Sequence, residues 1–279
     1  MNIGIRTKRM PMTHNSMVKG IFISLLMCTL CINYPAAAIT IQNDSTGSYI
    51  PDTAAHHDKS TVFKPTRLVL PAALIAVGTF GVYNGAFRSL DNSVKESMDK
   101  MRGNCFFRAD DYVQYLPAVA YLGLGAVGVK SKHTFKERLA VGLTAYAAMT
   151  AIVNSSKYAF KEKRPDSNAR NSFPSGHTST VFTGAELIRE EYGAAYGIAA
   201  YGVATGVAFL RLYNGRHWLN DVIAGAGVGI LSARIGYWML PLYRKWFNWN
   251  SHRPGVTAAA VPGYDYTSRT FSLNFAIAL

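Results

Sequence analysis

The chain is short of cysteine and of negative charge, and both shortages narrow what it can be. Its three cysteines are Cys28, Cys31 and Cys105. The first two lie in an amino-terminal segment with the marks of an export leader. A cleaved chain keeps Cys105 alone and cannot form an internal disulfide. Acidic residues number 16 against 29 Lys and Arg, a formal net charge of +13. Such an excess suits an anionic partner. The cations lie between apolar runs and not along one soluble face, which argues against nucleic acid and for a membrane with anionic lipids or an anionic substrate. No linker or repeat divides the middle of the 279 residues, so a single core is expected.

At the amino end, Arg6, Lys8, Arg9 and Lys19 frame an apolar stretch over 21–32 that is too short to span a bilayer comfortably. Ala36-Ala37-Ala38 then offers a small-residue cleavage site. Residues 1–38 therefore read as a signal-like leader, 39–65 as a polar irregular segment, 66–245 as a helical core and 246–279 as a C-terminal tail, of which 264–279 reads as loop or strand.

Through the core the pattern is apolar and helical. Candidate spans are 68–87, 112–129, 139–153, 178–188, 193–210 and 222–242; the fourth is short and carries Glu186 near its end, as expected of a core helix. Small residues recur among them, including Gly202, Gly206, Gly225, Gly227 and Gly229, and such residues let membrane helices approach closely. The expectation is an all-α, polytopic membrane bundle of about six core helices. The basic loop 130–138, with Arg244 and Lys245, belongs in the cytoplasm by the positive-inside rule, which puts the loops at the other end in the periplasm. An exported leader followed by six spans then fails parity by one. Either the leader stays inside or one of the six segments does not span. A mean hydropathy of only +0.06 also keeps a water-soluble helical bundle open.

Within this apolar setting stands a group of cations and histidines: Lys157, Arg164-Pro165, Pro174-Ser175-Gly176-His177, and Arg211 with His217 and Asp221. Cations among apolar helices call for a compensating anion. Lys157 and Arg164 are seven residues apart, which on a helix gives them nearly one face. Pro165 disfavours helical geometry at Arg164 and sets it at the mouth of that helix. His217 and Asp221 are one helical turn apart, so the carboxylate can fix the imidazole tautomer. Read as chemistry, this is a phosphate site. Lys157, Arg164 and Arg211 supply charge-assisted donors, and Ser175 and the Gly176 amide sit where a helix begins and favours anions. His217, oriented by Asp221, is the expected nucleophile. His177 is the expected general acid, later activating water against a phosphohistidine. No metal or cofactor is called for, because three fixed cations can stabilise the developing charge.

These motifs resemble the type 2 phosphatidic acid phosphatase family, which includes lipid phosphatases, bacterial acid phosphatases and vanadium haloperoxidases. That pattern is Lys, six residues, Arg-Pro; then Pro-Ser-Gly-His; then Ser-Arg, five residues, His, three residues, Asp. The chain departs from it once, with Leu210 where the family has Ser. The resemblance implies a phosphoric monoester hydrolase acting on an anionic lipid, in a bacterial inner membrane with its site facing the periplasm. The run Phe209-Leu210-Arg211-Leu212-Tyr213-Asn214-Gly215-Arg216-His217-Trp218 is similar to bacterial lipid A phosphatases, which implies a lipid A phosphate as substrate. Polyprenyl diphosphate and phosphatidylglycerol phosphate stay open as substrates, as do a soluble periplasmic acid phosphatase and, remotely, a vanadium haloperoxidase. Arg108, Asp110, Asp111 and Arg170 read as solvated loop residues, Arg216 as a headgroup contact and Trp218 as a packing ring. Oligomeric state leaves no mark on the sequence.

Overall fold

The computed structural model describes residues 63–249, 257–265 and 270–278; the leader and the polar segment up to residue 62 lie outside the described residues. A 3-10 turn, Pro65–Leu68, leads into α1 (Val69–Tyr83). Asn84 ends α1 and caps α2 (Gly85–Arg102), its side chain accepting from the amides of Ala86 at 3.0 Å and Phe87 at 3.1 Å. Two short helices follow, α3 (Asp110–Val113) and α4 (Leu116–Gly123). The long α5 (Phe135–Phe160) starts at a capping box between Thr134 and Glu137. Then come α6 (Gly176–Tyr192), α7 (Ala194–Tyr213) and α8 (Leu219–Trp246). The tail pairs β1 (Thr257–Asp265) antiparallel with β2 (Thr270–Ala278), with Thr257 opposite Ala278. The all-helical expectation holds for the core, and a hairpin follows it.

Helix α8 is the centre of the bundle, and its glycines explain how. Ala-sized side chains would not fit at the contacts: a Cβ on Gly225 would sit 2.8 Å from the Ser175 carbonyl and one on Gly229 2.6 Å from that of Ser179, both against α6. Gly227 lies equally close to α1 and Gly236 to α5. Gly202 and Gly206, expected to serve the same purpose, have nothing within 4 Å. We therefore expect Gly229→Leu to lower thermal stability in detergent by at least about 1–3 kcal/mol, while Gly202→Leu is near neutral. Equal unfolding temperatures for the two variants would contradict this packing.

Among the described residues, four helices are long and apolar enough to cross a membrane: Pro65–Tyr83, Phe135–Phe160, Ala194–Tyr213 and Leu219–Trp246. Val77, Phe80, Leu143 and Ile198 on three of them are exposed, as lipid-facing residues are. The chain is a membrane protein. Two of the six candidate segments are not among these four helices. The 112–129 stretch breaks into α3, α4 and a run of turns, and the 178–188 stretch is, as its Glu186 suggests, part of a core helix, α6, buried in the bundle with three acidic residues near its end. One of these, Glu186, accepts bonds from Arg189, Arg234 and Tyr201, so its buried charge is saturated. The first span also stops at Asn84, and α2 continues as an amphipathic helix burying Asp91, Val94 and Met98.

The two ends of the bundle are chemically distinct. Arg244 donates to Glu137 at 2.6 Å and His133 meets Glu191 at 2.7 Å, which gathers the basic loop, the end of α6 and the end of α8 at one end. At the other end the Ser175 amide donates to the Asp221 carbonyl at 3.0 Å, bringing the start of α6 onto the start of α8. There the motif residues meet.

Candidate active site

All of the motif residues gather at that second end. Helix α5 finishes at Phe160, with Lys161 in the left-handed region at φ 47°, so Lys157 is in the last turn and Arg164 is beyond the helix. The shared helical face expected for this pair does not form. Their side chains converge through a loop, which closes when the Ser172 amide donates to the Glu162 carbonyl at 3.0 Å and the Arg164 amide to that of Ala169 at 3.0 Å. Asn171 holds both: Lys157 Nζ donates to its carbonyl, and Arg164 Nε to its Oδ1 at 2.7 Å.

His217 sits between α7 and α8, 4% exposed. Its Nδ1 lies 3.2 Å from Asp221 Oδ2. The same oxygen accepts from Ser172 Oγ and, at 2.9 Å, from the Trp218 amide. Asp221 is thus the first-turn acid of α8 as well as the histidine's partner, and the positive helix end favours its charge. Burial and the cations Arg211, Arg164 and Lys157 hold the His217 pKa well below the ordinary histidine range. The ring is neutral at pH 7, and Nδ1–H donates to Asp221, which leaves Nε2 with its lone pair.

Ser175 makes no side-chain cap, its hydroxyl accepting instead from Thr178 Oγ1 at 3.0 Å, so the first amides of α6 stay available to an anion. Arg211, in the last turn of α7, is buried, and its Nε has no hydrogen-bond partner. His177 is half-buried at the start of α6, with Nε2 3.0 Å from Asp111 Oδ1. Burial, then the charge of Arg211, lowers its pKa, against the pull of Asp111 and Asp110.

Several residues here gave too little signal in the sequence. Asp110 is not a solvated loop residue: it is 1% exposed, accepts from Arg211 Nη1 and lies 3.3 Å from Asn214 Nδ2. Asp111 is exposed, yet it meets His177 and lies 3.7 Å from Arg211. Acids at the start of a short helix in a loop have no periodicity to betray burial. Arg216 pairs with Asp166 at 2.8 Å, and Trp218 donates from Nε1 to the Lys163 carbonyl at 2.7 Å while its ring lies under Arg88. Arg108 and Arg170 are exposed, as expected. Asp110, Asp111 and His177 place ligand atoms within 4.8 Å of one another, a geometry that a metal ion could use, although Asp110 is already committed to Arg211.

Residues 138–245 match the model of the PAP2 superfamily. The chain is 34% identical over 210 residues to a lipid A 1-phosphatase of Porphyromonas gingivalis, across 74% of this chain and 45% of that protein, so it spans less than half of the relative's length. Among solved structures it is similar to a transmembrane PAP2-type phosphatidylglycerolphosphate phosphatase from Bacillus subtilis, at 18% identity and a TM-score of 0.48 over 66% of this chain and 99% of that one. It is similar also to LpxE of Aquifex aeolicus, at 22% identity and 0.40 over 50% and 92%.

Proposed function

We propose that the chain is a metal-independent lipid phosphatase of the PAP2 type, whose family model its residues 138–245 match, cleaving a phosphomonoester through a phosphohistidine at His217. The observation that carries this is the convergence of Lys157, Arg164 and Arg211 on a buried, neutral imidazole braced by Asp221. The free Nε2 attacks phosphorus as the bond to the leaving oxygen breaks. The non-bridging oxygens take donors from the three cations and the first amides of α6, and the unpartnered Nε of Arg211 gains an acceptor there. His177 exchanges Asp111 for the leaving oxygen and gives it a proton. In the second half, neutral His177 takes a proton from water as that water attacks phosphorus, which releases phosphate and restores His217.

The substrate we infer is lipid A carrying a phosphate at its 1 position, a choice supported by the named activity of the relative. We place the site at the periplasmic face of the inner membrane, because the loop 130–138 with Arg244 and Lys245 gathers at the opposite end of the bundle. The lipid tails then lie against the exposed apolar faces of the spans. Mass spectrometry of lipid A from cells with and without the gene is expected to show the 1-phosphate retained only in its absence; identical lipid A would refute the substrate. The purified enzyme is expected to keep its activity in excess chelator and to lose it to orthovanadate, which occupies the anion site. The spacing of Asp110, Asp111 and His177 makes this a sharp test, since activity lost to chelator and restored by magnesium or zinc would assign them a metal.

A further inference from the structure

Behind the His217–Asp221 pair lies a carboxyl that the mechanism above does not use. Glu162, in the turn after α5, is 7% exposed. Its Oε1 accepts from Arg88 Nη2 at 2.6 Å, and both of its oxygens lie 3.3 Å from Asn220 Nδ2. It also meets Asp221 carboxyl to carboxyl within hydrogen-bonding range. Asp221 spends Oδ2 on His217, Ser172 and Trp218, while its Oδ1 is buried and no amide, hydroxyl or guanidinium donor reaches it. Two buried carboxyls in contact repel unless one keeps a proton.

We propose that Glu162 is a positioning residue for the nucleophile: its carboxyl carries the proton between the two acids and donates to Asp221 Oδ1, holding Asp221 so that Oδ2 orients His217. This deepens the reading of His217 as nucleophile and rests on it. Around Glu162 stand Arg88 and Asp91 from α2, the Ser172 amide on its own carbonyl, and Asn220 and Asp221 from α8. Burial, then the charge of Asp221, pushes the Glu162 pKa up to about 7 against the lowering bonds from Arg88 and Asn220. Asp91, which accepts from the Asn220 amide at 3.3 Å, is likewise pushed up to about 7 by burial. The protonated form of Glu162 is the competent one, so alignment is present below that pH and lost as pH rises through it. Ionised Glu162 sets a second negative charge against Asp221 and drives it from its place beneath the imidazole.

The test reads attack on its own. With an activated aryl phosphate, the burst of phenolate reports formation of the phosphohistidine and needs no proton from His177. In the full-length protein in detergent, the burst rate is expected to fall above about pH 7, at a limiting slope of about tenfold per pH unit. Glu162→Gln keeps a donor that does not titrate, so its burst rate is expected to stay flat across the same range. A Gln variant that retains the wild-type alkaline fall would overturn the proposal and leave Glu162 as a structural partner of Arg88. Infrared titration of the Asp91→Asn protein covers the case in which the Gln variant does not fold. A protonated-carboxyl band that disappears as pH passes about 7 supports the shared proton, and a missing band refutes it. A burst that survives in His217→Ala would instead overturn the nucleophile assignment, and this proposal with it.

Discussion

His217→Ala is expected to abolish phosphate release and the phenolate burst together, a loss on the order of 10⁴–10⁶ in turnover, because the attacking imidazole among the three cations is gone. The ring is buried and not at an open surface, so its removal also strips a donor from Asp221 and leaves a small void. That adds about 1–3 kcal/mol of instability, enough to lower the unfolding temperature without preventing folding. Asp221→Asn separates the two roles of the carboxylate. The amide oxygen still accepts from the Trp218 amide, so the start of α8 survives, while the charge and the His217 tautomer preference are lost. Its rate is expected to fall about 10²–10⁴-fold. Mild acid-labile labelling of the protein by radioactive phosphate should persist in Asp221→Asn and vanish in His217→Ala. Label on the alanine variant would move the nucleophile elsewhere.

The core of this site was legible in the chain because its parts come as short, fixed-spacing segments at helix ends. A helix end needs a cap, a break or a turn, and each leaves a residue-level mark: Pro165 after Arg164, Pro174-Ser175-Gly176 before His177, Asp221 one turn after His217. Lys157, Arg164, Ser175, Gly176, His177, Arg211, His217 and Asp221 all stand at one end of the bundle. Other features depended on tertiary contact and could not be read locally. Lys161 adopts the left-handed conformation and ends α5 early, although nothing about a lysine announces that. Ser172 and Asn171 look like ordinary loop residues, yet one braces Asp221 and the other holds Lys157 and Arg164.

The spans were legible only in part, for a related reason. Apolar composition marks burial without saying whether lipid or protein covers the helix. Residues 178–188 are apolar in most positions, but Glu186 within them and Glu190 and Glu191 just beyond find partners in Arg189, Arg67, His133 and Tyr237. Acids that would be prohibitive against lipid are tolerable in a helix wrapped by others. Helix α2 went unexpected because its apolar positions, Val94 and Met98, are spaced through a charged sequence whose mean character is polar. The basic loop is also less free than its composition suggests: Arg138 is 4% exposed and donates to the carbonyls of Tyr121 and Leu122.

His177→Ala is expected to divide substrates by their leaving groups. An alkoxide from a sugar or glycerol is a poor leaving group and needs a proton as its bond to phosphorus breaks, so the variant should lose about 10²–10⁴-fold on the lipid phosphate. An aryl phosphate needs little help, so its burst should survive nearly intact and then stall, because the same histidine activates water in the second step. The pH profile follows from the environment of the ring. Burial and Arg211 lower the His177 pKa in the free enzyme, and the acid must be protonated to act. Activity on the lipid phosphate at low substrate is therefore present at acid pH and falls as pH rises, starting below the usual histidine range. Bound phosphate adds negative charge beside the ring and favours its protonated form, so the fall in kcat should lie at higher pH than the fall in kcat/KM. Asp111 sharpens the test, since its Oδ1 occupies His177 Nε2 until the leaving oxygen arrives. Equal losses on both substrates, with no burst, would mean that His177 holds phosphate or structure, and the acid would have to be sought among other groups at the site mouth.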